Sequence, residues 1–418
     1  MSSNRNPKPH WILRHHAPAS IHALAFASPK TLSSAVCLLS GDGDGRVALT
    51  DLRSYRPRAF WQAHSDIILT VAEHDGFLLT HGRDNTLKVW KERGDALDDE
   101  AAAGRTDLIG QNAAVRVELP TAANLMASLP KPECILTLDV NALNYCSFAL
   151  LNHIPTADLG SPSQQAVQPF LLAVPHTIET AWIDIYEMPA KKRIFEAIGR
   201  PAVVDRSNRP PILMAVHLFQ KPAPEEDSRG NSTSVQLFLL AGYEDGTVSL
   251  RRLDPELKTC QTLWTFREHH EPVMALALSP DCTFALSASA DDRIVRYSLF
   301  PKANEELARP FSHKTQRQGK ASITISGDSR IGAFGGWDGN VRIYNAQDFR
   351  PLAVLDYHKD TIQAVAFQLS STAPSNHAGD VDSGSDSDES DAQHGQSQHN
   401  LLACGCRDGR ISLWQLTF

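Results

Sequence analysis

Two stretches of the chain carry residue types that bind metal ions in other proteins. The first, Gly41–Gly45, places Asp42 and Asp44 two positions apart, as in an EF-hand calcium loop. Counting from Asp42, such a loop needs an acidic residue at its twelfth position, and Arg53 stands there. We therefore interpret this stretch as a tight turn.

The second candidate is Cys404 with Cys406, because residues two apart in a strand share one face. The sequence has no second cysteine pair at zinc spacing, which favours packing over metal binding. The seven cysteines are odd in number and scattered, as in reduced intracellular proteins. We predict no metal site and no cofactor.

Histidines are the remaining candidates for chemistry. His64, His269 and His358 each lie four residues before the first apolar position of a β-rich segment. A catalytic histidine would need a nucleophile or partner outside such a repeat, and the sequence has no G-x-S-x-G, phosphate-loop or H-E-x-x-H motif. We predict no catalytic residue, no small-molecule substrate and a protein that is not an enzyme.

These histidines belong to a repeated frame of β-strands. In the clearest copy, from Leu78 to Trp90, two strands flank an Asp-Asn turn, and the aromatic residue follows Asp84 by six positions. A degenerate copy at 176–186 has Thr180 in place of the aspartate, and we expect the upstream apolar run 135–140 to be the first strand of its blade, blade three. The other clear copies surround Asp44, Asp245, Asp291, Asp338 and Asp408.

This frame resembles the WD repeat, and seven copies predict an all-β, seven-bladed WD40-type β-propeller over residues 9–418. The resemblance implies a hydrogen-bonded network within a blade, made by a His, a strand Ser or Thr, the turn Asp and a Trp. Blade two has the full set, blade five has Tyr297 in place of Trp, and blade seven has Cys404 in place of Ser. The network residues are His64, Thr80, Asp84 and Trp90; His269, Ser287 and Asp291; and His358, Asp408 and Trp414.

A propeller must also close. The stretch His10–Arg14 precedes the first blade and is typical of a lone strand. We predict that it forms the outer strand of blade seven, which would join the two ends of the chain and leave no open edge.

Two insertions interrupt the repeats. Residues 92–131 are rich in Ala, Asp and Glu, and we expect them to form an inter-blade insertion between blades two and three. Residues 371–399 are predicted to be a disordered, acidic, Ser-rich loop within blade seven. The acidic neighbours of Ser385 and Ser387 favour phosphorylation there, and a solvated spacer explains the composition equally well.

The charge and the distribution of apolar residues argue against two classes of partner, nucleic acids and membranes. The net charge is −8, and six acidic residues between Asp380 and Asp391 account for most of it. The remainder is nearly neutral and lacks the cationic surface that direct nucleic-acid binding needs. Apolar runs are too short for a membrane helix of about 20 residues, and the polar stretch Met1–Pro9 is not a signal peptide.

In a propeller, the residues that precede the turn aspartates gather around one mouth of the channel. A tryptophan among arginines is typical of a binding hot spot, although Trp337 could instead pack on a neighbouring blade. A reader of histone tails or phosphopeptides at this mouth is therefore one candidate function. The candidate partner-binding residues are Arg83, Glu244, Trp337 and Arg407.

Several runs within and between the repeats resemble the fungal ASTRA-associated protein 1 family, whose animal relative is G-protein β-subunit-like protein 1. They are Trp11–Arg14, Ile21–Phe26, Ser40–Gly45, Trp61–His64, Thr80–Trp90, Leu143–Phe148 and Ile183–Glu187. The resemblance implies a scaffold subunit of the nuclear ASTRA complex, with a role in chromatin remodelling. It also implies association with chaperone subunits that mature phosphatidylinositol-3-kinase-related kinases, in the nucleus and secondarily in the cytoplasm. A G-protein β-like signalling subunit remains an alternative, but it should bring an N-terminal coiled coil, and the stretch before Trp11 is too short.

Overall fold

The computed structural model describes residues 7–27, 36–92, 121–152, 167–201, 209–222, 235–300, 309–368 and 400–417. Within these residues the strands form seven four-stranded antiparallel sheets, so the predicted seven-bladed propeller is confirmed. A single short helix, Ala122–Ser128, is present among them. No helix in the described part of the chain has the length and apolar character needed to cross a bilayer.

The strands follow the repeat frame in chain order. Blade one contains Ile21–Ala27, Cys37–Asp42, Arg46–Asp51 and Arg56–Gln62; blade two contains Ile68–His74, Phe77–Gly82, Thr86–Lys91 and Glu133–Asp139. Blade three contains Ala149–Asn152, Phe170–Pro175, Ile183–Met188 and Lys192–Ile198; blade four contains Leu213–Pro222, Val235–Tyr243, Thr247–Asp254 and Thr259–Arg267. Blade five contains Val273–Leu278, Phe284–Ser289, Arg293–Ser298 and Phe311–Lys314; blade six contains Lys320–Ile325, Ile331–Gly336, Val341–Asn345 and Pro351–Leu355. Blade seven contains Ile362–Phe367, Asn400–Cys406, Ile411–Leu416 and Trp11–Leu13.

The first strands of six blades and the linker before blade three surround a central channel of about 630 Å³. Around it the apolar core divides into seven clusters, one at each seam between neighbouring blades. At the seam between blades one and two, for example, Leu39 and Trp61 pack against Ile68, Leu78 and Trp90. A single sheet cannot bury both of its faces, so each blade depends on its neighbours for most of its apolar burial.

The predicted closure of the ring is confirmed. Trp11–Leu13 pairs antiparallel with the third strand of blade seven, with Trp11 opposite Leu413 and Leu13 opposite Ile411. The Trp11 ring also stacks on Tyr55 of blade one, with ring centroids 4.6 Å apart. One short strand thus completes blade seven and contacts blade one.

The prediction that residues 92–131 lie between blades two and three is wrong. Glu133–Asp139 pairs with Thr86–Lys91 as the fourth strand of blade two, so the segment lies inside that blade. The run 135–140, expected to be the first strand of blade three, is therefore the outer strand of blade two. First and outer strands have similar apolar alternation, and only the pairing distinguishes them.

The ring has two distinct faces. The turn face carries the turns between second and third strands, including those of Asp84 and Asp408, together with the linkers between blades. The opposite face carries the other connections within blades. The acidic segment 371–399, with Ser385 and Ser387, lies outside the described residues, but the strands that flank it, Ile362–Phe367 and Asn400–Cys406, connect on the opposite face.

Candidate functional site

The network predicted for blade two is a continuous chain of hydrogen bonds. Trp90 Nε1 donates to Thr80 Oγ1 at 2.9 Å, and the Thr80 hydroxyl donates to His64 Nε2 at 2.7 Å. His64 Nδ1 then donates to Asp84 Oδ1 at 2.9 Å. One neutral imidazole tautomer satisfies every group, which is the condition under which a buried polar network stabilises a fold.

Burial fixes the charge states of this network. Desolvation lowers the pKa of His64 despite the neighbouring Asp84 carboxylate. Burial opposes the ionisation of Asp84 too, but hydrogen bonds from Thr86 and His64 lower the pKa of its carboxyl to about 2. At neutral pH a neutral imidazole therefore donates to a carboxylate, and both ring nitrogens are occupied by structural partners. The network supports the turn face and leaves no free base.

Blade five contains a similar network, with a tyrosine in place of the tryptophan. His269 Nδ1 lies 3.0 Å from Asp291 Oδ2, and its Nε2 lies 2.6 Å from Ser287 Oγ. Tyr297 takes the place of tryptophan, with its hydroxyl 3.4 Å from Ser287 Oγ. Burial opposes the ionisation of Asp291, yet its hydrogen bond from His269 lowers its pKa to about 2.

Blade seven rebuilds the network with a residue that the sequence frame did not indicate. Trp414 Nε1 donates to Ser412 Oγ at 2.8 Å, Ser412 lies 2.9 Å from His358 Nε2, and His358 Nδ1 lies 3.1 Å from Asp408. Ser412 is on the third strand, directly opposite Cys404 on the second. The hydroxyl that Cys404 lacks is therefore supplied from the neighbouring strand.

Blade one contains a network that the sequence reasoning missed. His16 Nδ1 lies 2.8 Å from Asp42 Oδ2, and His16 Nε2 lies 2.8 Å from Ser40 Oγ. Arg46 Nε also donates to Asp42, at 2.9 Å. His16 precedes the first apolar strand residue by five positions instead of four, and the acid is Asp42 instead of the more exposed Asp44. A search allowing a linker longer by one residue would have found His16, and finding Asp42 also requires a search two positions before the turn aspartate.

The remaining blades use other polar contacts. In blade six, Asp338 accepts two hydrogen bonds from the guanidinium of Arg342, at 3.0 and 2.6 Å. In blade three, the buried Asp184 accepts the backbone N–H of Ala197 at 2.8 Å. In blade four the hydroxyl of Ser249 is buried without a hydrogen-bond partner among the described residues. These blades depend more on apolar packing at their seams.

The four candidate mouth residues all lie on the turn face. Arg407 borders the central channel, as does Tyr145 from the linker before blade three. The Arg83 guanidinium lies 4.3 Å from the centre of the Tyr145 ring, in a cation–π contact that no sequence spacing indicated. Glu244 is exposed. The structure thus brings Arg83 to the channel rim through Tyr145.

The sequence left open whether Trp337 binds a partner or packs on a neighbouring blade, and the structure is compatible with both. Its indole lies against Gly319 in the linker between blades five and six, where a Cβ would approach the ring to 2.3 Å. The side chain nevertheless remains 47% exposed. One face of the ring therefore packs on the propeller and the rest stays accessible to a partner.

Comparison with known proteins decides the family. The family described as "WD domain, G-beta repeat" matches residues 260–297. The chain is 33% identical to ASTRA-associated protein 1 of Verticillium alfalfae over 427 residues, covering 98% of this chain and 93% of the relative. The chain belongs to the ASTRA-associated protein 1 family. The family resemblance inferred from the sequence is thereby confirmed.

Two further relatives match this chain over nearly their whole lengths. The protein of that name from Schizosaccharomyces pombe is 27% identical, with 98% of this chain and 99% of the relative covered. The mouse protein named guanine nucleotide-binding protein subunit beta-like protein 1 is 25% identical, with 98% and 96% covered. These matches span the whole propeller, so they relate the complete ring and not one repeat.

One cluster in this member of the ASTRA-associated protein 1 family has the composition of a metal site. Among the described residues, His358, Cys406 and Asp408 place their ligand atoms within 4.8 Å of one another. Each already has a partner: His358 and Asp408 bond to each other, and Cys406 Sγ donates to the Asp360 carbonyl at 3.2 Å. Burial raises the pKa of the Cys406 thiol to about 12, so it stays protonated. An ion there would have to break the blade-seven network.

Proposed function

We propose that this protein is a non-catalytic scaffold subunit of a nuclear, ASTRA-type multiprotein complex. The observation that carries the proposal is the match of the complete ring to proteins named ASTRA-associated protein 1. A non-catalytic role is also supported by the buried histidines and aspartates of blades one, two, five and seven, which hydrogen-bond to each other within their blades. A rigid ring with exposed loops on two faces suits the binding of several proteins at once.

The finer role follows from the family resemblance. The complex would act in chromatin remodelling and in the maturation of phosphatidylinositol-3-kinase-related kinases, with kinase-maturation chaperone subunits as partners. We place the protein in the nucleus and secondarily in the cytoplasm. It binds these partners directly and needs no nucleic acid, membrane or small-molecule substrate.

Affinity purification from the native host tests the proposal. The tagged protein, expressed at its natural level, should recover several subunits at constant ratios that co-elute in size-exclusion chromatography. Nuclease treatment should leave those ratios unchanged. Recovery of a small γ-like subunit, or of no partner at all, would contradict the assignment.

Reading of a peptide at the channel mouth is a second candidate function. It is favoured by the half-exposed Trp337 and by Arg407 at the rim of the channel. Histone-tail and phosphopeptide arrays should then show binding that Trp337→Ala abolishes. An array without any bound peptide would exclude this function and leave the scaffold proposal intact.

A further inference from the structure

The linker between blades two and three has an inverted distribution of polar and apolar side chains. Its asparagines, Asn141 and Asn144, are 5% and 8% exposed, whereas Leu143 and Tyr145 are 69% and 51% exposed. Most loops place polar side chains in water and apolar ones against the protein. Ala142 and Cys146 of this linker are buried in the usual way, but at the two asparagines, Leu143 and Tyr145 the distribution is the opposite, so the linker exposes two apolar side chains.

Hydrogen bonds from the buried asparagines hold the linker in this arrangement. Asn141 Nδ2 donates to the carbonyls of His176 and Thr177 in blade three, at 3.1 and 3.3 Å, and its Oδ1 accepts the N–H of Leu143 at 3.1 Å. Asn144 Nδ2 donates to the carbonyl of Leu213 in blade four. The exposure of Leu143 is therefore fixed by contacts to two further blades and is not the result of a loose loop.

A second apolar side chain lies on the neighbouring turn. Ile178 is 89% exposed and follows Thr177, one of the residues that Asn141 holds. The ring of His176 fixes this turn, because its Nδ1 accepts the N–H groups of Ile178 and Glu179 at 3.2 and 3.1 Å. Two hydrogen-bonded loops thus present apolar groups on the same face of the ring.

A cation borders this apolar surface. Arg83 stacks on Tyr145, and no carboxylate lies within ion-pair distance of its guanidinium in the part of the chain that the structure describes. Its neighbour Asp84 points inward to His64 and Ser65. The stacked guanidinium therefore keeps its outward N–H donors for a group from another molecule.

We propose that Leu143, Tyr145, Ile178 and Arg83 form a docking surface, here called the inverted-loop patch, for a segment of a partner protein that carries apolar side chains next to a carboxylate. The apolar groups of the segment cover Leu143, Tyr145 and Ile178, and its Asp or Glu pairs with Arg83. Tyrosine and arginine are enriched at the energetic centres of protein interfaces, and here Leu143 and Ile178 add exposed apolar area beside the stacked pair of Tyr145 and Arg83. The proposal rests on the scaffold function in that it requires a protein partner.

Two other occupants are less compatible with the geometry. The acidic segment 371–399 of this chain is attached on the face opposite the inverted-loop patch, since it connects the first and second strands of blade seven. In a two-fold symmetric contact with a second copy, the patch would face itself, and none of its four residues carries a carboxylate that could pair with Arg83. A separate partner protein meets neither obstacle.

The chain offers a closely matched pair of variants for the test. Leu143→Asp places a charge in the patch, and Leu257→Asp places the same charge on the opposite face at a leucine of nearly equal exposure, 69% against 72%. Both side chains are exposed, so both variants should fold, and equal melting temperatures will verify this. In the purified native complex, Leu143→Asp should lower the recovery of one subunit at least about tenfold, because it places a charge against the apolar side chains of the segment, and Leu257→Asp should leave all subunits unchanged.

A photo-crosslinking amino acid at position 143, in the full chain within the complex, identifies what covers the patch. We expect the crosslinked peptide to contain apolar residues with an adjacent Asp or Glu. A synthetic copy of that peptide should bind the purified chain, Arg83→Glu should weaken binding, and replacing the peptide's acid with Lys should restore binding to that variant.

The outcomes separate this proposal from the scaffold assignment. If Leu143→Asp and Leu257→Asp retain every subunit equally, or if position 143 crosslinks to a second copy or to the segment 371–399, the patch proposal is wrong and the scaffold function stands. If position 143 crosslinks to a segment of the expected chemistry in a protein outside any ASTRA-type complex, the patch stands and the assignment to that complex falls.

Discussion

Blades two and seven contain the same chain of hydrogen bonds, built from different positions. In blade two the central hydroxyl is Thr80 on the second strand, and in blade seven it is Ser412 on the third. The strands are directly paired at this level, with Ser412 opposite Cys404, so either can place an oxygen between the imidazole and the indole. The network requires an oxygen at one point in space, and the position in the sequence that supplies it can vary.

The two blades also differ in the origin of their outer strand. In blade two, Leu138 pairs with Leu87, and in blade seven Leu13 pairs with Ile411; Leu87 and Ile411 each follow the turn aspartate by three positions. Leu13 and Leu138 are therefore equivalent, but Leu13 comes from the other end of the chain. This difference makes blade seven the place where the ring can open.

The largest predicted effect separates the two leucines. Leu13→Ala should lower the free energy of unfolding by about 4 kcal/mol and Leu138→Ala by about 2 kcal/mol, within the range for buried leucines. The excess at Leu13 reflects weaker closure in addition to the cavity. Urea denaturation measures both losses, and limited proteolysis should show early cleavage near blade seven only for Leu13→Ala. Equal losses with equal protease resistance would show that closure adds nothing.

The second prediction concerns the displaced hydroxyl. Ser412→Ala should lower the free energy of unfolding by about 3 kcal/mol, because it leaves Trp414 Nε1 and His358 Nε2 buried without partners. Thr80→Val should have a similar effect in blade two. The control Cys404→Ala should cost only about 1 kcal/mol, because it removes one buried sulfur atom and leaves the Ser412 hydroxyl in place. A costly Cys404→Ala with a mild Ser412→Ala would reverse our assignment of the hydroxyl.

The third prediction concerns the network of blade one, in which the acid is Asp42 and not the turn residue Asp44. Asp42→Asn weakens the contacts to His16 and Arg46 and should destabilise the protein by about 2–3 kcal/mol. Asp44→Asn, at a side chain that is 63% exposed, should change stability by less than about 0.5 kcal/mol. Thermal unfolding of the two variants distinguishes them. The opposite ranking would place the network acid at the turn position.

The smallest predicted effect is the pH dependence that His81 contributes in blade two. Burial and the neighbouring His64 lower the pKa of His81 to about 3, and His81 has no hydrogen-bond partner among the described residues. The folded state therefore binds fewer protons than the unfolded state below pH 6.5, so stability is lost as the pH falls from about 6.5 towards 3. The equivalent position in blade seven is Gly405, which does not titrate.

His81→Leu provides the measurement. Between pH 7 and 5 the wild-type protein should lose up to about 2 kcal/mol more stability than His81→Leu. Hydrogen exchange at pH 5 should show the loss first in peptides of blade two. Identical pH profiles for the two proteins would mean that His81 finds a proton acceptor or donor that offsets its burial.

The sequence predicted those features that depend on spacing along the chain. The recurrence of the turn aspartates predicted seven sheets, and the spacing of His64, Thr80, Asp84 and Trp90 predicted the network that the structure assembles. Closure by the strand at Trp11 was predictable because a ring that lacks one outer strand must obtain it elsewhere.

Features that depend on register across strands were not predictable in this way. Ser412 acts only because it lies opposite Cys404, and a single strand's pattern contains no information about its partner. The run 135–140 was assigned to the wrong blade because the true first strand of blade three, Ala149–Asn152, is only four residues long. The contact between Arg83 and Tyr145 depends on a left-handed backbone at Tyr145, with φ of 56°, which its residue type does not suggest.

Because the closing strand pairs with a strand about 400 residues later in the chain, the ring closes late during synthesis. Among the strands of the ring, Trp11–Leu13 is the first to be synthesised, and its partner, Ile411–Leu416, follows all the others. At usual translation rates the early strand waits roughly 20–80 s for that partner. Throughout this interval the nascent chain is an open arc with two exposed edges. A chain truncated before residue 411 therefore lacks the strand that pairs with Trp11–Leu13, and its ring stays open.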